Sequence, residues 1–286
     1  MKRLFSLSLL AASLLLLSSC DEIEQPVITT PNPYNAVKYG DAPTFTPVAS
    51  PTKNVFIEEF TGHLCGFCPP ATALVKALDE ELGERLVPLS VHAGTLAVVS
   101  NPPFETDYNT EIGNIYWGQL EGGFNPAARI DRQGGISNFY VENAWEANIN
   151  TQLAETPSTM LQIQAEAIDA DGVVNIHVHN QFLQNLSGSY NLIVLLAESH
   201  IISAQEDYDQ TPSEILDYEH NHLLRIGATG AYGVPLATNP TSNLESINSF
   251  TLPVQSNWNT GNCTVIAFVI DNTTQEVLNA CEFELD

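Results

Sequence analysis

Apolar and polar positions change their period near Glu155-Thr156-Pro157. Upstream, Val55-Phe56-Ile57-Glu58-Glu59-Phe60 is a short β-branched and aromatic run that predicts a buried strand. Ala71, Leu74, Val75, Leu78 and Leu82 then recur at helical spacing, and Gly83 is a natural stop. Residues 86–91 predict a second strand, which completes a β-α-β unit. Residues 95–123 exceed a minimal connection. Asn101-Pro102-Pro103 marks a loop there, and residues 107–120 read as helical. Phe104, Tyr108, Tyr116 and Trp117 in this stretch serve either as a lid or as core packing. Residues 138–153 predict a closing helix with Val141, Ala144, Trp145, Ile149 and Leu153 on one face. Downstream the period is two. Leu161, Ile163, Ala165 and Ala167 alternate with polar residues, Asp169 to Gly172 is a turn, and Val174, Ile176 and Val178 alternate again, which predicts a hairpin. Further strands are expected at 189–198, 247–254, 263–270 and 276–285, and residues 205–220 read as an acidic loop or short helix. The pattern therefore predicts an α/β domain over 54–156, followed by an all-β, sandwich-like domain over 157–286.

The turn between the first strand and the helix is Cys65-Gly66-Phe67-Cys68-Pro69-Pro70. Prolines suit a helix start, where a missing N–H costs nothing. Unpaired N–H groups and the helix dipole favour an anion at that point. Thiols so placed ionise at roughly pH 3.5–7.5, against about 8.5 for a free cysteine, and the thiolate is the attacking species in disulfide exchange. Cys65 is the expected exposed attacker, and Cys68 the expected resolving thiol. A His63 imidazolium would stabilise the thiolate further; the alternative is a turn residue facing solvent. A CxxC also serves as half of a zinc site or as a purely structural disulfide. No second CxxC exists in the chain.

The N-terminus reads as an address. Lys2 and Arg3 precede an apolar stretch from Leu4 to Leu17, too short to span a bilayer, which ends in Leu17-Ser18-Ser19-Cys20. This resembles a bacterial lipoprotein signal over 1–19, with Cys20 lipidated by acyl chains such as palmitate; the alternative is an ordinary signal peptide. Residues 20–53, rich in Pro, Thr and Asn, suit an extended tether. The chain carries 9 basic and 34 acidic residues, a formal charge of −25. Such a balance excludes nucleic-acid binding and docking on anionic lipid through a basic surface. It leaves the acyl chains as the means of holding the membrane.

Four cysteines remain beyond Cys20, in a compartment that permits disulfides. Cys263 and Cys281 fall on the last two expected strands. They lie opposite each other if the turn centres on Asn272, so they form either a cross-strand disulfide or two buried thiols. His177 and His179 share a strand face, and His220 and His222 allow the same arrangement. Such pairs are metal ligands or hydrogen-bonded surface; no metal and no cofactor is expected.

Residues 55–83 resemble the active-site segment of the thioredoxin superfamily. That resemblance implies that Glu59, six before Cys65, relays a proton for the resolving thiol. It also implies that Pro126, as a cis-proline, and the backbone of Asn125 border the substrate groove. Leu64 replaces the usual aromatic residue, and the Gly-Phe dipeptide matches neither the common reductase nor the common oxidase version, which leaves the direction of reaction open. The segments Phe60 to Pro69, Val91 to Gly94, Asn125 to Arg132 and Tyr218 to Arg225 resemble the outer-membrane-protein-28 family of lipoproteins. That family implies a thioredoxin-like domain followed by a β-rich one. The expected function is an extracytoplasmic, lipid-anchored thiol–disulfide oxidoreductase. It would sit on the periplasmic or cell-surface face of the outer membrane and act on protein thiols or disulfides. The alternative is a non-enzymatic, adhesive surface lipoprotein that uses the same scaffold.

Overall fold

A computed structural model describes residues 33–285. The helices are α1 (Ala36–Tyr39), α2 (Cys68–Leu82), α3 (Glu111–Gly118) and α4 (Trp145–Leu153). The first half holds strands β1 (Val55–Thr61), β2 (Leu86–His92) and β3 (Ala127–Ile130). The second holds β4 (Thr159–Ile168), β5 (Val173–Phe182), β6 (Ser189–Glu198), β7 (Ile201–Glu206), β8 (Glu214–His220), β9 (Leu223–Gly227), β10 (Val234–Thr238), β11 (Glu245–Pro253), β12 (Cys263–Asp271) and β13 (Val277–Glu284). The protein is mixed α/β, with most of its regular structure in several sheets.

The largest sheet runs β13-β12-β6-β9-β2-β1-β3, with β10 on β6. It takes strands from both sides of the α4–β4 passage, so one sheet of the later β-strands' sandwich continues into the first half of the chain. The reason lies in β2, which is buried along its whole length. β1 pairs with one edge of β2, and β9 closes the other: Ser90 N–H donates to His222 O at 2.8 Å. One apolar core then joins Phe56, Phe60 and Leu89 to Ile193, Leu195, Ile266 and Phe268. A second core lies between this sheet and the three-stranded sheet β11-β5-β4. A third packs α2 and α4 on Val55, Ile57 and Ala128.

The tether expectation changes for the described residues 33–53. Thr44 O and Thr46 O accept from Gln164 and Gln162, while Tyr34 and Phe45 pack on His177 and His179. The segment thus lies along the outer face of the three-stranded sheet, which offers it a row of alternate side chains. The signal segment 1–19 and Cys20 lie outside the described residues.

The expected loop at 205–220 is instead the second half of a hairpin, β7–β8, paired only with itself. Its polar, acidic sequence hides the strand signal because most of it faces solvent. The expected Cys263–Cys281 disulfide is absent. The β12–β13 register sets Cys281 against Ala267, with a bulge between Val269 and Ile270, and places Cys263 against Glu198 of β6. The turn centres later than Asn272, so the two sulfurs lie four residues out of register.

Candidate functional site

Chain direction reverses at the end of β1. Gly62 passes so close to the 94–97 turn that a Cβ there would meet Leu96 O at 2.3 Å. Leu64 N–H donates to that same oxygen at 3.0 Å. Cys65 follows in the turn, and Cys68 is the first residue of α2. The two are joined as a disulfide, with Cα atoms 5.4 Å apart. Asn125 reaches the same turn: its Nδ2 donates to Thr61 O at 3.1 Å, and its bond to Pro126 is cis.

Glu59 stands one β1 register step from this turn, flanked by Ser90 and Ala128. Its side chain is 1 % exposed. Thr72 Oγ1 donates to its Oε1 at 2.6 Å. Thr72 is one helical turn beyond Cys68 on the same face of α2, so the carboxyl lies beside the first turns of the helix that begins at Cys68. Burial pushes the Glu59 carboxyl up, the hydrogen bonds from Thr72 and Ser90 pull it down, and it settles at about 7. It lines an open cleft of about 540 Å³ with Pro69, Thr72, Ser90, Tyr218 and His222, which gives it a path to water. Tyr218, from β8, is pushed up to about 12 by its burial and then by the Glu59 charge.

Cys65 is not the exposed attacker its motif predicts. It is 3 % exposed, because the β7–β8 hairpin lies across it. His63 is neither a helper cation nor a solvent-facing turn residue. It is buried, its Nε2–H donates to Val98 O at 2.9 Å, and burial holds its pKa below the ordinary imidazole value. His220 and His222 do not share a strand face, since β8 ends at the first and the second is a left-handed turn residue. His220 instead packs with His92, Tyr108 and Tyr218, and burial brings it down to about 4. Phe104, Tyr108 and Tyr116 are buried, and Trp117 is partly so. His177 and His179 bond to Ser249 and Gln162. Among the described residues no three His, Cys, Asp or Glu side chains are grouped to hold a metal.

Sequence reasoning missed Thr72, Ser90, Gln205 and Tyr208. The first two were accessible: Thr72 follows Cys68 by four, and Ser90 faces Glu59 once β1 and β2 are aligned in parallel. The other two lie about 140 residues away on a hairpin without a periodic signal.

Three solved structures share features of this chain. HBP35 of Porphyromonas gingivalis has a TM-score of 0.61 at 17 % identity, over 83 % of this chain and 76 % of that one. An Agrobacterium tumefaciens protein has a TM-score of 0.51 at 12 % identity, over 82 % and 96 %. A domain of the outer membrane lipoprotein Omp28 from Porphyromonas gingivalis has a TM-score of 0.31 at 16 % identity, over 46 % and 91 %. The first two likenesses concern the fold alone. No curated protein matches the chain. The family described as outer membrane protein Omp28 matches residues 116–285, from the end of α3 through the last strand. That span exceeds half the chain and agrees with the resemblance carried by Asn125 to Arg132 and Tyr218 to Arg225, so the chain belongs to the Omp28 family.

Proposed function

We propose that this protein is a lipid-anchored thiol–disulfide oxidoreductase of the outer membrane, built on a thioredoxin-like first half. The fold reading is supported by β1, which ends at the disulfide, pairs in parallel with β2 across α2, and pairs antiparallel with β3. The outer-membrane placement follows the family description, and the lipid anchor follows the Leu17-Ser18-Ser19-Cys20 sequence. The observation that carries the activity is Glu59, a buried carboxyl bonded to Thr72 in the first turns of the helix that begins at Cys68, with its pKa raised to about 7 by burial and an open cleft beside it. A group poised near the working pH is suited to proton transfer.

In the reducing direction, the Cys65 thiolate attacks a protein disulfide. A mixed disulfide forms and one substrate thiolate leaves. The Cys68 thiol gives its proton towards Glu59, and its sulfur attacks the Cys65 sulfur. The second substrate thiolate leaves with the electron pair, and the Cys65–Cys68 disulfide is regenerated. The substrate gains two electrons and the enzyme loses two. The reverse order oxidises a substrate dithiol.

The burial of Cys65 favours a second reading, a surface scaffold whose disulfide is structural. Turnover of a protein disulfide by the reduced mature protein separates the two. Cys65→Ala abolishes turnover in the first reading, whereas wild-type protein without any turnover supports the second.

A further inference from the structure

The hairpin over Cys65 touches the turn in a particular way. Glu206 N–H donates to His63 O at 2.8 Å, and Tyr208 N–H to Gly66 O at 2.9 Å. Glu206, the last residue of β7, and Tyr208, in the turn that follows it, thus each donate a backbone N–H to the disulfide turn. Between them, Gln205 Nε2 donates to Cys65 O at 3.1 Å and Gly62 O at 3.3 Å. The Tyr208 ring meets Phe67 edge-on, with centroids 5.0 Å apart, and lies where a Gly66 Cβ would be only 2.4 Å from it. Residues 205–208 therefore take the carbonyls of His63, Cys65 and Gly66 and the apolar face of Phe67.

Contacts of this kind can hold a segment of another polypeptide: backbone bonds give affinity and a side-chain contact gives selectivity. The occupant is only lightly fastened. Of the 20 residues 201–220, only Ala204, Gln205, Asp207 and His220 are buried, while Ile202, Tyr208 and Leu216 are each more than half exposed. A segment with so little buried apolar surface belongs to the least stable part of a fold and opens locally.

We propose that residues 205–208 are an internal stand-in for substrate. The β7–β8 hairpin competes for the face over Cys65 and is displaced by a protein segment that carries an aromatic residue near its cysteine. The substrate class rests on the oxidoreductase reading; the occlusion does not.

The test uses the mature protein reduced with dithiothreitol, with alkylation of Cys65 by iodoacetamide followed by mass spectrometry. Gln205→Ala/Tyr208→Ala raises the Cys65 alkylation rate by about thirtyfold or more, the scale expected from losing at least two hydrogen bonds at about 1 kcal/mol each. Tyr208→Ala alone, at an exposed side chain, gives a smaller rise and guards against a folding defect. Hydrogen exchange in the wild type is expected to be faster at Glu206 and Tyr208 than along β12. Equal alkylation rates in wild type and variants, or amides at 206 and 208 as protected as those of β12, overturn the occlusion. Unfolded-protein disulfides turned over faster by the double variant support the stand-in, and unchanged turnover despite faster alkylation overturns the substrate assignment. Faster alkylation without turnover in any form refutes the oxidoreductase reading and leaves the occlusion standing.

Discussion

Glu58 and Glu59 are adjacent on β1 and both buried, yet they end in opposite states. The pleat sends them to opposite faces of the sheet. Glu58 meets two arginines: Arg129 donates through Nε at 2.8 Å and Nη2 at 2.9 Å, and Arg132 through Nε at 2.9 Å and Nη2 at 2.7 Å. Burial pushes Glu58 up, but the two guanidiniums outweigh it and hold the carboxylate below its ordinary pKa. Tyr116, Phe60 and Phe268 stack on those guanidiniums and shut out water. Glu59 meets two hydroxyls and a cleft, so burial wins and its proton is held until about pH 7. The same residue type is a fixed charge on one face and a titrating acid on the other. What differs is the partner, not the depth of burial.

The comparison breaks most severely at Glu58. Glu58→Gln leaves two guanidiniums buried without a counter-charge, which costs on the order of 3–5 kcal/mol. The urea midpoint is expected to fall sharply; an unchanged midpoint means the ion pairs do not fix this face. Glu59→Gln acts in the other direction. The Glu59 pKa is raised on folding, so the wild type loses stability as pH rises from about 4.5 through about 7, whereas the amide does not. The variant is expected to be more stable by up to about 3 kcal/mol at pH 9 and equal near pH 4. Under the proposed oxidoreductase function it is also expected to resolve mixed disulfides more slowly. Denaturant curves at the two pH values check the sign.

Acid sharpens the contrast through histidine. His92, His220 and His222 have folded pKa values depressed by burial, the last two to about 4. Between about pH 6.5 and 4 the unfolded chain binds more protons at these sites, so their contribution to stability is lost as pH falls. Glu59 contributes the opposite slope over much of that window. In Glu59→Gln the acid decline in melting temperature is therefore steeper than in the wild type, and parallel curves refute the assignment. The smallest effect concerns the two free thiols. Cys263→Ala/Cys281→Ala changes stability by about 1 kcal/mol, well short of the roughly 2–5 kcal/mol of a lost disulfide. A larger loss, with a cross-linked peptide on unreduced mapping, restores the pairing that the register rejects.

Several features could be read from the residues themselves. The Cys65–Cys68 turn between strand and helix follows from local composition and spacing, whereas Glu59 six residues earlier and the Asn125–Pro126 segment beside the turn were implied by the resemblance to thioredoxins. The β4–β5 hairpin was legible because alternation and a turn with Gly172 in the left-handed region agree. The β7–β8 hairpin was not, since strands that face mostly solvent carry little apolar alternation. The Cys263–Cys281 error came from centring the turn on Asn272; the turn closes later in the chain, and the bulge between Val269 and Ile270 adds one further step.

By itself the sequence determined the cysteine pair, the helix that begins there, the period change near residue 157 and the place of Glu59 on the strand before the turn. These depend on neighbours a few residues apart. Only the tertiary structure decided that β9 joins the two halves into one sheet, that Arg129 and Arg132 claim Glu58 and leave Glu59 to titrate, and that residues 205–208 cover Cys65. Each depends on which distant groups displace water from a given atom, and spacing along the chain carries no record of that.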